Sequence, residues 1–387
     1  MTQSADVVIV GAGVMGASVA WHLTRLGCRS VILLDQASGP GAGSTGRATG
    51  GFRTQFASPV NVRLSLMSRE KLQRFHDDTG GDCGYQPVGY LFLAADQQQM
   101  VTLREAIAVQ RNAGLTESTM VTLDDIARIN PAIVLDGVVG GSFGSTDGYI
   151  RPLGILQGYL DAAERDGARV MYGAQPSAFE RSGDRITAVR LGTERIAAGH
   201  VVNATGAWAA DLGRLAGIEL PVTPARRQVA LTVPTSVLPP STPMTIFAED
   251  GFHFRVRDGR VLLLWPVDTV GTDRYDTTFD ASWLDGVTQR AHRRVPVLRS
   301  VPLDRGGSWC GLYEMSPDHH VMLGAAPGLE NFWLINGSSG HGVMHSPAMG
   351  QLLAEMILTG HATSLDVHAL RPSRFLEGAP NPAPVLL

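Results

Sequence analysis

The amino-acid sequence predicts an α/β protein in which a parallel βαβ unit opens the chain and a smaller α+β domain, built on a mostly antiparallel sheet, is interleaved with the rest. Residues 7–10 and 31–34 are short apolar runs that predict strands, and the alanine-rich residues between them, 17–26, predict a helix. Later runs predict strands that follow one another without helices, at residues 228–233, 252–257 and 261–265. Because βαβ units form parallel sheets and hairpins form antiparallel ones, the chain should contain both kinds of sheet.

The turn inside the βαβ unit is rich in glycine. Residues 11–16 have the sequence GAGVMG, and Asp35 ends the second strand. In such units the first glycine, Gly11, allows a tight turn, Gly13 lets a pyrophosphate approach the backbone, and Gly16 lets the helix lie close to the strand. The N-terminus of the helix favours phosphate, and Asp35 could accept both ribose hydroxyls. This arrangement predicts a site for an ADP-containing cofactor but leaves open whether that cofactor is FAD or NAD.

The composition limits the partners. Of 387 residues, 44% are hydrophobic and 18% are charged, which is typical of globular proteins. A net charge of −4 gives no long-range attraction to nucleic acid or anionic lipid. The three cysteines are widely spaced and form no CxxC motif, which argues against a disulfide framework or a zinc site and fits a reducing cytoplasm. We therefore expect a cytoplasmic protein with no nucleic-acid partner and no membrane span.

The predicted elements divide between two interleaved domains. The cofactor-binding domain is expected to comprise residues 1–84, 140–220 and 305–387, and the substrate-binding domain residues 85–139 and 221–304. Ser346 and Pro347 resemble the cap and first turn of a terminal helix. The last ~15 residues are rich in proline and are expected to be loosely ordered.

Several further segments resemble one family of flavoenzymes. Residues 41–53 (GAGSTGRATGGFR) follow the acid, and residues 337–342 (GSSGHG) lead into residues 343–347 (VMHSP). Three other segments look like the strand-to-loop segment beside the flavin, the strand that enters the substrate domain and the strand that returns from it: residues 203–209, 224–229 and 311–318. In this order, from about residue 5 to about residue 360, the motifs resemble the D-amino-acid oxidase-like superfamily of FAD-dependent oxidoreductases, in particular its sarcosine oxidase, glycine oxidase and proline dehydrogenase β-subunit branch.

The resemblance implies an FAD-binding, Rossmann-like domain whose FAD is bound noncovalently. Some relatives tether FAD through a cysteine two residues before the tyrosine that corresponds to Tyr313. Here that position is Gly311, and Cys310 would point to the opposite face of its strand. The residues implied to bind FAD are Gly11, Gly13, Val14, Met15, Gly16, Asp35, Gln36, Ser44, Thr45, Gly50, Gly51, Ala204, Thr205, Gly206, Trp208, Gly311, Gly337, Gly340, His341, Gly342, Val343 and Met344.

Four residues are candidates for catalysis or substrate contact: Arg53, Tyr313, His253 and Met344. A guanidinium can hold a carboxylate in a bidentate way, and the family places a carboxylate-binding arginine in the stretch that contains Arg53. Relatives place an aromatic or polar residue over the flavin at the position of Tyr313. His253 lies on a predicted strand of the substrate domain, where it would either line the pocket or be a structural histidine. Gln55 and Phe56 stand where relatives carry a second arginine, and Met344 stands where some carry a lysine. We therefore expect a substrate bulkier or less acidic than sarcosine.

Lysine is scarce in this chain. Lys71 is the only lysine among 32 lysine and arginine residues, and the helical spacing of its apolar neighbours predicts that it faces solvent. Several oxidases of this group use a lysine near the flavin to reduce O2, but residues 261–265 carry no cation. Unless an arginine or histidine substitutes, electrons should pass to another acceptor. His341 and His345 lie four residues apart, but no carboxylate or cysteine completes a metal site, so we expect no metal.

These implications predict an enzyme that oxidises the C–N bond of a secondary amine or amino acid (N-methyl, cyclic or D-amino acid). Hydride transfer to flavin N5 would give an imine, which water hydrolyses. Two alternatives remain: an NAD-dependent dehydrogenase that shares only the N-terminal unit, and the β-type flavin subunit of a heteromeric amine dehydrogenase complex. The expected partners are a small-molecule amine or amino-acid substrate, O2 or another electron acceptor, and either further copies of the chain or partner subunits.

Overall fold

The computed structural model describes residues 3–269 and 271–383. Its strands are β1 (Gln3–Val10), β2 (Val31–Asp35), β3 (Gly51–Phe52), β4 (Tyr90–Ala94), β5 (Ser118–Val121), β6 (Gly140–Gly144), β7 (Gly148–Tyr149), β8 (Arg169–Tyr172), β9 (Ala178–Ser182), β10 (Arg185–Leu191), β11 (Glu194–Asn203), β12 (Thr223–Leu231), β13 (Met244–Phe247), β14 (His253–Arg257), β15 (Arg260–Leu264), β16 (Trp309–Met315), β17 (Met322–Ala325) and β18 (Phe332–Asn336). Its α-helices are α1 (Val14–Arg25), α2 (Ser44–Arg47), α3 (Pro59–Gln73), α4 (Phe75–Thr79), α5 (Gln97–Asn112), α6 (Leu123–Ile129), α7 (Pro152–Arg165), α8 (Ala209–Leu215), α9 (Trp283–Arg294) and α10 (Gly342–Thr359). None of the helices within these residues combines the length and apolarity that a membrane span requires.

The first large sheet contains the predicted βαβ unit. Its strands follow the order β17-β18-β11-β1-β2-β8, with the hairpin of β9 and β10 attached to β11. The pairs that β1 forms with β2 and β11 are parallel, as are β2–β8 and β11–β18. Val7 and Ile9 pack beneath α1, α7 and α10, whereas Val8 and Val10 pack beneath α8 on the other face. The unit is continuously apolar because helices cover both faces of its sheet.

The second large sheet follows the order β16-β12-β15-β14-β13-β4-β6-β5. Its pairs are antiparallel except for β13 with β4, and α9 covers part of one face. The two sheets confirm the predicted fold class. Two strands of this sheet, β6 and β16, lie outside the ranges predicted for the substrate domain, so the division into domains remains a prediction.

Helix α10 begins five residues earlier than expected, and the prediction of a cap at Ser346 is wrong. His341 is the N-terminal flanking residue, and Pro347 lies inside the helix. A proline cannot donate to the carbonyl four residues earlier, which here belongs to Val343. The Ser346 hydroxyl donates to that carbonyl oxygen instead, at 2.8 Å. This compensation lets the helix continue back to the glycine-rich turn.

The C-terminal tail is hydrogen-bonded to the rest of the chain as far as Asn381, so the expectation of loose order is wrong for that part, and residues 384–387 lie outside the described residues. Arg374 is fully buried and pairs with Asp318, with Nε–Oδ2 and Nη2–Oδ1 distances of 2.8 and 3.0 Å. The backbone N–H and side-chain amide of Asn381 both donate to Asp318 Oδ2 at 3.0 Å. A buried ion pair thus joins the tail to the segment after β16.

Lys71 is half-buried, so the prediction that it faces solvent is only partly correct. Its ammonium lies 3.5 Å from His22 Nε2, between α3 and α1, and burial lowers its pKa. His22 uses Nδ1 to donate to the Ser18 carbonyl oxygen, which leaves Nε2 to accept from the lysine. The lysine therefore has a packing partner, and it is not among the described residues that line the cavity.

Candidate active site

A cavity of about 840 Å³ lies between the two large sheets. Its lining includes almost all of the residues predicted to bind a cofactor or substrate: Gly11, Gly13, Val14, Met15, Asp35, Gln36, Ser44, Thr45, Gly50, Gly51, Arg53, Ala204, Thr205, Gly206, Trp208, His253, Gly311, Tyr313, Gly340, His341, Gly342, Val343 and Met344. We call the part around Gly11, Gly13 and Asp35 the glycine end, and the part around Arg53 and His341 the arginine end.

Two predicted cofactor residues, Gly16 and Gly337, are not among the described residues that line the cavity. A Cβ at Gly16 would lie 1.9 Å from the Gly11 carbonyl oxygen and 3.1 Å from the Ile9 side chain. A Cβ at Gly337 would lie 2.9 Å from Ser316 Cβ, and its φ of +80° also favours glycine. The geometry gives both glycines a packing role, and the prediction that they contact the cofactor directly is not supported.

At the glycine end, backbone geometry creates the open space. Gly11 has φ +102°, and a Cβ there would lie 2.3 Å from the Ala204 carbonyl oxygen. At Gly13 the nearest atom to a Cβ would be Thr45 Oγ1 at 3.4 Å. Gly11 is therefore required by the fold, whereas Gly13 leaves its backbone open to the cavity beside the N-terminus of α1. A helix N-terminus is a favourable place for phosphate oxygens.

Asp35 and Thr45 organise the polar groups at this end. Asp35 accepts hydrogen bonds from the N–H groups of Ala12 and Ala37, both at 2.8 Å. Each carboxylate oxygen keeps further acceptor capacity for a hydroxyl. Thr45 Oγ1 accepts from the N–H of Val14 at 3.2 Å, which ties the segment after the acid to the first turn of α1. The predicted ribose acceptor thus lies in the cavity wall with a fixed orientation.

At the arginine end, the N-terminus of α10 meets the aromatic ring of Tyr313. Gly340 has φ +91°, and a Cβ there would lie 2.5 Å from the Tyr313 ring. The ring packs directly on the turn before α10, and Arg227 places its guanidinium 5.6 Å from the ring centroid. Burial raises the pKa of Tyr313, which keeps its hydroxyl protonated at neutral pH.

Arg53 is buried in the wall of this end, with 6% of its surface exposed. Its Nη2 donates to His341 Nε2 at 3.0 Å, and its guanidinium lies 4.3 Å from the centroid of Phe56. Because arginine only donates, His341 must be neutral with its proton on Nδ1. Burial first and the charge of Arg53 second lower the pKa of His341 well below its usual value, which agrees with that state.

Behind Arg53 lies a buried carboxyl group that the sequence analysis missed. Asp147 accepts hydrogen bonds from the N–H of Thr54 at 2.7 Å and from Gln55 Nε2 at 3.0 Å. Burial raises its pKa to about 6, although these hydrogen bonds act in the opposite direction. Gln55 also accepts from Ser142 at 3.0 Å, so its amide is used in this network. The partners lie 87 to 93 residues apart, and no local pattern could have paired them.

A second missed acid, Glu314, follows Tyr313 on β16 and lines the cavity. Its Oε1 accepts from the N–H of Ser338 at 3.3 Å, and its carbonyl oxygen accepts from the N–H of Ser339 at 3.0 Å. Burial raises its pKa to about 6. The strand sequence WCGLYEM offered one signal, an acid among apolar residues, and the structure shows that this acid holds the loop before α10.

His253 lies on β14, and it lines the cavity, which is one of the two roles that the sequence left open. Its Nδ1 donates to the Gly251 carbonyl oxygen at 2.8 Å, so the neutral ring keeps Nε2 as an acceptor. Burial lowers its pKa to about 4. An uncharged imidazole next to an apolar wall that includes Met244, Ile246 and Leu264 can accept a hydrogen bond without adding charge.

The other sequence candidates have ordinary surroundings. Cys310 is buried and is not among the described residues that line the cavity, whereas its neighbour Gly311 is. His345 accepts from or donates to the Ser65 hydroxyl at 2.8 Å, and its ring centroid lies 6.2 Å from that of His341. Within residues 3–269 and 271–383, no group of three histidine, cysteine or acidic side chains could hold a metal ion. Trp208 stacks on Tyr275 at a centroid distance of 5.2 Å.

Comparisons with known proteins give one consistent result. A family model described as FAD dependent oxidoreductase matches residues 6–356. FAD-dependent oxidoreductase domain-containing protein 1 from Bos taurus is 30% identical over 424 residues, which cover 97% of this chain and 86% of that protein. Mitochondrial dimethylglycine dehydrogenase from Rattus norvegicus is 28% identical, and the match covers 96% of this chain but only 45% of that protein.

Solved structures agree with this result. L-proline dehydrogenase from P. horikoshii superimposes with a TM-score of 0.91 at 27% identity, over 98% of this chain and 100% of that one. Glycine oxidase from Geobacillus kaustophilus superimposes with a TM-score of 0.84 over 96% and 99% of the two chains, and at 24% identity the likeness concerns the fold.

Proposed function

The chain belongs to the DAO family of FAD-dependent oxidoreductases, and we propose that it oxidises the C–N bond of a secondary amine or amino acid, of the N-methyl, cyclic or D-amino-acid type. The observation that carries the proposal is the position of Arg53, a buried cation in the wall of the cavity that hydrogen-bonds to His341, the residue before α10. The family match extends to residue 356, far beyond the βαβ unit, so the alternative of an NAD-dependent dehydrogenase is not supported.

The cavity fits FAD. The turn at Gly13 leaves room at the backbone, Asp35 offers acceptors beside it, and the N-terminus of α10 points at the other end of the same cavity. When bound, FAD supplies a two-electron acceptor that takes a hydride from the substrate carbon. The dipole of α10 favours negative charge at its N-terminus, where His341, Gly342, Val343 and Met344 line the cavity. Cys310 lies outside this lining, which supports noncovalent binding.

The substrate should carry one carboxylate and an apolar body. Arg53 offers the charge for the carboxylate, whereas Gln55 is engaged by Asp147 and Ser142 and supplies no second charge. Met344 adds an apolar surface to the cavity where a lysine would have added a cation. This combination favours a cyclic or N-alkyl amino acid over a small diacid. L-proline, the cyclic amino acid named for the dehydrogenase from P. horikoshii that is 27% identical to this chain, belongs to this class.

His253 and Tyr313 are proposed to orient the amine. Amine oxidation requires the neutral amine, whose N–H groups need acceptors away from water. The neutral His253 offers Nε2 as such an acceptor, and the protonated Tyr313 hydroxyl offers both a donor and an acceptor. The anchor at Arg53 and the amine contacts would together place the reacting carbon against the cofactor.

We also propose that the electron acceptor is a quinone, a dye-like molecule or a partner protein and not O2. Lys71, the only lysine, contacts His22 between α1 and α3. Arg227 is the cation beside Tyr313 that could take over the role of a lysine in oxygen reduction. Stopped-flow mixing of the reduced enzyme with oxygenated buffer tests this proposal. Reoxidation faster than turnover with any artificial acceptor would make the protein an oxidase, and Arg227→Met would then be expected to slow it.

The proposed activity is tested by anaerobic bleaching of the purified yellow protein. N-methyl, cyclic and D-amino acids should bleach its visible absorption, and matched 2-hydroxy acids should not. Bleaching by hydroxy acids alone would contradict C–N oxidation. Acid precipitation should release FAD to the supernatant, whereas flavin in the pellet would contradict noncovalent binding. Cytoplasmic location and partner subunits remain predictions, and co-purification of a second chain would support the β-type subunit.

A further inference from the structure

The backbone between α2 and β3 forms part of the cavity wall, and two arginines of the second sheet bind its carbonyl oxygens. Arg255 Nη1 donates to the carbonyl oxygens of Thr49 at 2.6 Å and Gly50 at 2.7 Å. Arg257 Nη1 donates to the carbonyl oxygen of Ala48 at 3.3 Å. Ala48, Thr49 and Gly50 are among the described residues that line the cavity, and the two arginines are not. The arginines therefore hold this wall from behind.

Arg255 is held firmly in that position. It is 4% exposed, and its guanidinium lies 3.7 Å from the centroid of the Tyr149 ring. Its Nε donates to the carbonyl oxygen of Val256 at 3.3 Å. Burial lowers its pKa to about 10, so it remains charged at neutral pH. A buried charge is costly unless acceptors surround it, and the carbonyl oxygens of Thr49 and Gly50 supply that compensation.

The segment between α2 and β3 has a constrained backbone at Gly50. Gly50 has φ +76°, and a Cβ there would lie 2.3 Å from the carbonyl oxygen of Ile150. The Gly50 carbonyl oxygen also accepts from the N–H of Ile150 at 2.9 Å. In a trans peptide the C=O and N–H groups point in opposite directions, and the described residues contain no cis peptide. The N–H groups of Gly50 and Gly51 therefore point away from Arg255, and both glycines are among the residues that line the cavity.

We propose that Arg255 is a positioning residue, which holds the two peptides after Thr49 so that their N–H groups face the bound cofactor. The inference rests on the FAD of the family and not on the proposed substrate. N–H dipoles aimed at the cofactor stabilise the negative charge that it gains on reduction. Without Arg255 these peptides could rotate, so FAD should bind more weakly and its midpoint potential should fall.

The test compares Arg255→Met with Arg260→Met. Arg260 lies on the same β-hairpin, bonds to Asp304 and to the Thr232 carbonyl oxygen, and is not among the described lining residues. FAD is titrated into the FAD-free protein by fluorescence, and the midpoint potential of the holoenzyme is measured by dye equilibration. Arg255→Met should raise the FAD dissociation constant about tenfold, the loss expected for one charge-assisted hydrogen bond, and should lower the potential. Arg260→Met should leave both values unchanged.

Arg255→Lys gives a second, milder test, because a lysine keeps a charged donor but not the guanidinium geometry. Its FAD affinity and potential should lie between those of the wild type and Arg255→Met, and it decides the question if Arg255→Met does not fold. The proposal is overturned if the Arg255 variants keep the wild-type potential. It is also overturned if Arg255→Met and Arg260→Met weaken FAD binding equally, because that result would indicate loss of stability alone.

Discussion

The glycine end of the cavity is built from backbone and small residues that lie close together in the sequence, whereas the arginine end is built from side chains that arrive from distant segments. The glycine end depends on the turn at Gly11 and Gly13 and on Asp35, all within one βαβ unit. At the arginine end, Arg53 meets His341 across 288 residues, and Asp147 meets Thr54 across 93. A substitution at the glycine end should change the conformation of the backbone. A substitution at the arginine end should change the hydrogen bonds among several side chains.

This difference separates what each end contributes. Backbone N–H groups and helix N-termini bind phosphate whatever the substrate is, so the glycine end is common to many nucleotide-binding proteins. The buried charges and neutral histidines of the arginine end are specific to one reaction, because their pKa values and hydrogen bonds depend on each other. Substrate choice should therefore reside in the arginine end.

The largest expected effect comes from outside the cavity, at the buried ion pair that joins the C-terminal tail to the segment after β16. Arg374→Met would leave Asp318 buried without its ionic partner, so the free energy of unfolding in urea should fall by about 3–5 kcal/mol. Arg371→Met, which removes the partly exposed partner of Glu377, should change it little. A loss in Arg374→Met as small as that expected for Arg371→Met would show that the Arg374–Asp318 pair does not stabilise the fold.

At the glycine end, two alanine substitutions should differ in kind. Gly11→Ala places a Cβ 2.3 Å from the Ala204 carbonyl oxygen at a positive φ, so it should cost about 2–4 kcal/mol of stability as well as FAD. Gly13→Ala meets only Thr45 Oγ1 at 3.4 Å, so it should fold normally and bind FAD more weakly. Melting temperatures of the FAD-free proteins distinguish the two cases, and a Gly13→Ala protein that melts as early as Gly11→Ala would contradict this distinction.

Sequence reasoning succeeded where the determinants are local. The strands, the glycine turn and the acid of the βαβ unit were predicted because spacing within about 30 residues specifies them. The predicted start of α10 was wrong because Ser346-Pro347 resembles a helix cap. In the structure the Ser346 hydroxyl instead bonds to the carbonyl oxygen that the proline leaves without a donor. The prediction that Lys71 faces solvent was only partly correct because its partner, His22, belongs to another helix.

The missed residues share one property, which is that each acts through a contact made only by the folded chain. Asp147 lies before a two-residue strand and follows no motif, so nothing in its neighbourhood indicates that it bonds to Thr54. Arg374 was assigned to a loose tail because proline-rich termini are often disordered, whereas its partner Asp318 lies 56 residues earlier in the chain. Arginine is so frequent in this chain that composition could not single out Arg255.

A smaller effect is expected for substrate affinity at the arginine end. Arg53→Ala removes a charge-assisted hydrogen bond worth about 1.5–3 kcal/mol, so a carboxylate substrate should bind roughly ten- to a hundredfold more weakly. FAD content should change far less. The methyl ester of the same substrate is the control, because it lacks the carboxylate and should bind the wild type and the variant alike. Unchanged affinity for the free acid would remove Arg53 from the substrate site.

The smallest effect concerns the neutral histidines of the arginine end, and its sign follows from proton counting. Burial lowers the pKa of His253 to about 4 in the folded protein, whereas the unfolded chain should titrate near 6.5. Between these values the unfolded state binds more protons, so this histidine makes stability fall as the pH falls from 6.5 towards 4. Asp147 and Glu314, whose pKa values burial raises to about 6, act in the opposite direction. The informative quantity is therefore the difference between two proteins and not the slope of one.

His253→Asn removes the titrating group but keeps an amide N–H that can donate to the Gly251 carbonyl oxygen. Near pH 5, the variant should lose stability with falling pH less steeply than the wild type, by up to about 1.4 kcal/mol per pH unit, which corresponds to one proton. Urea unfolding of the FAD-free proteins at several pH values between 4.5 and 7 measures both slopes. Equal slopes would mean that His253 takes up a proton in the folded state as readily as in the unfolded chain. In that case it could not be the neutral acceptor that the proposed amine contact requires, and the arginine end would need another group for that role.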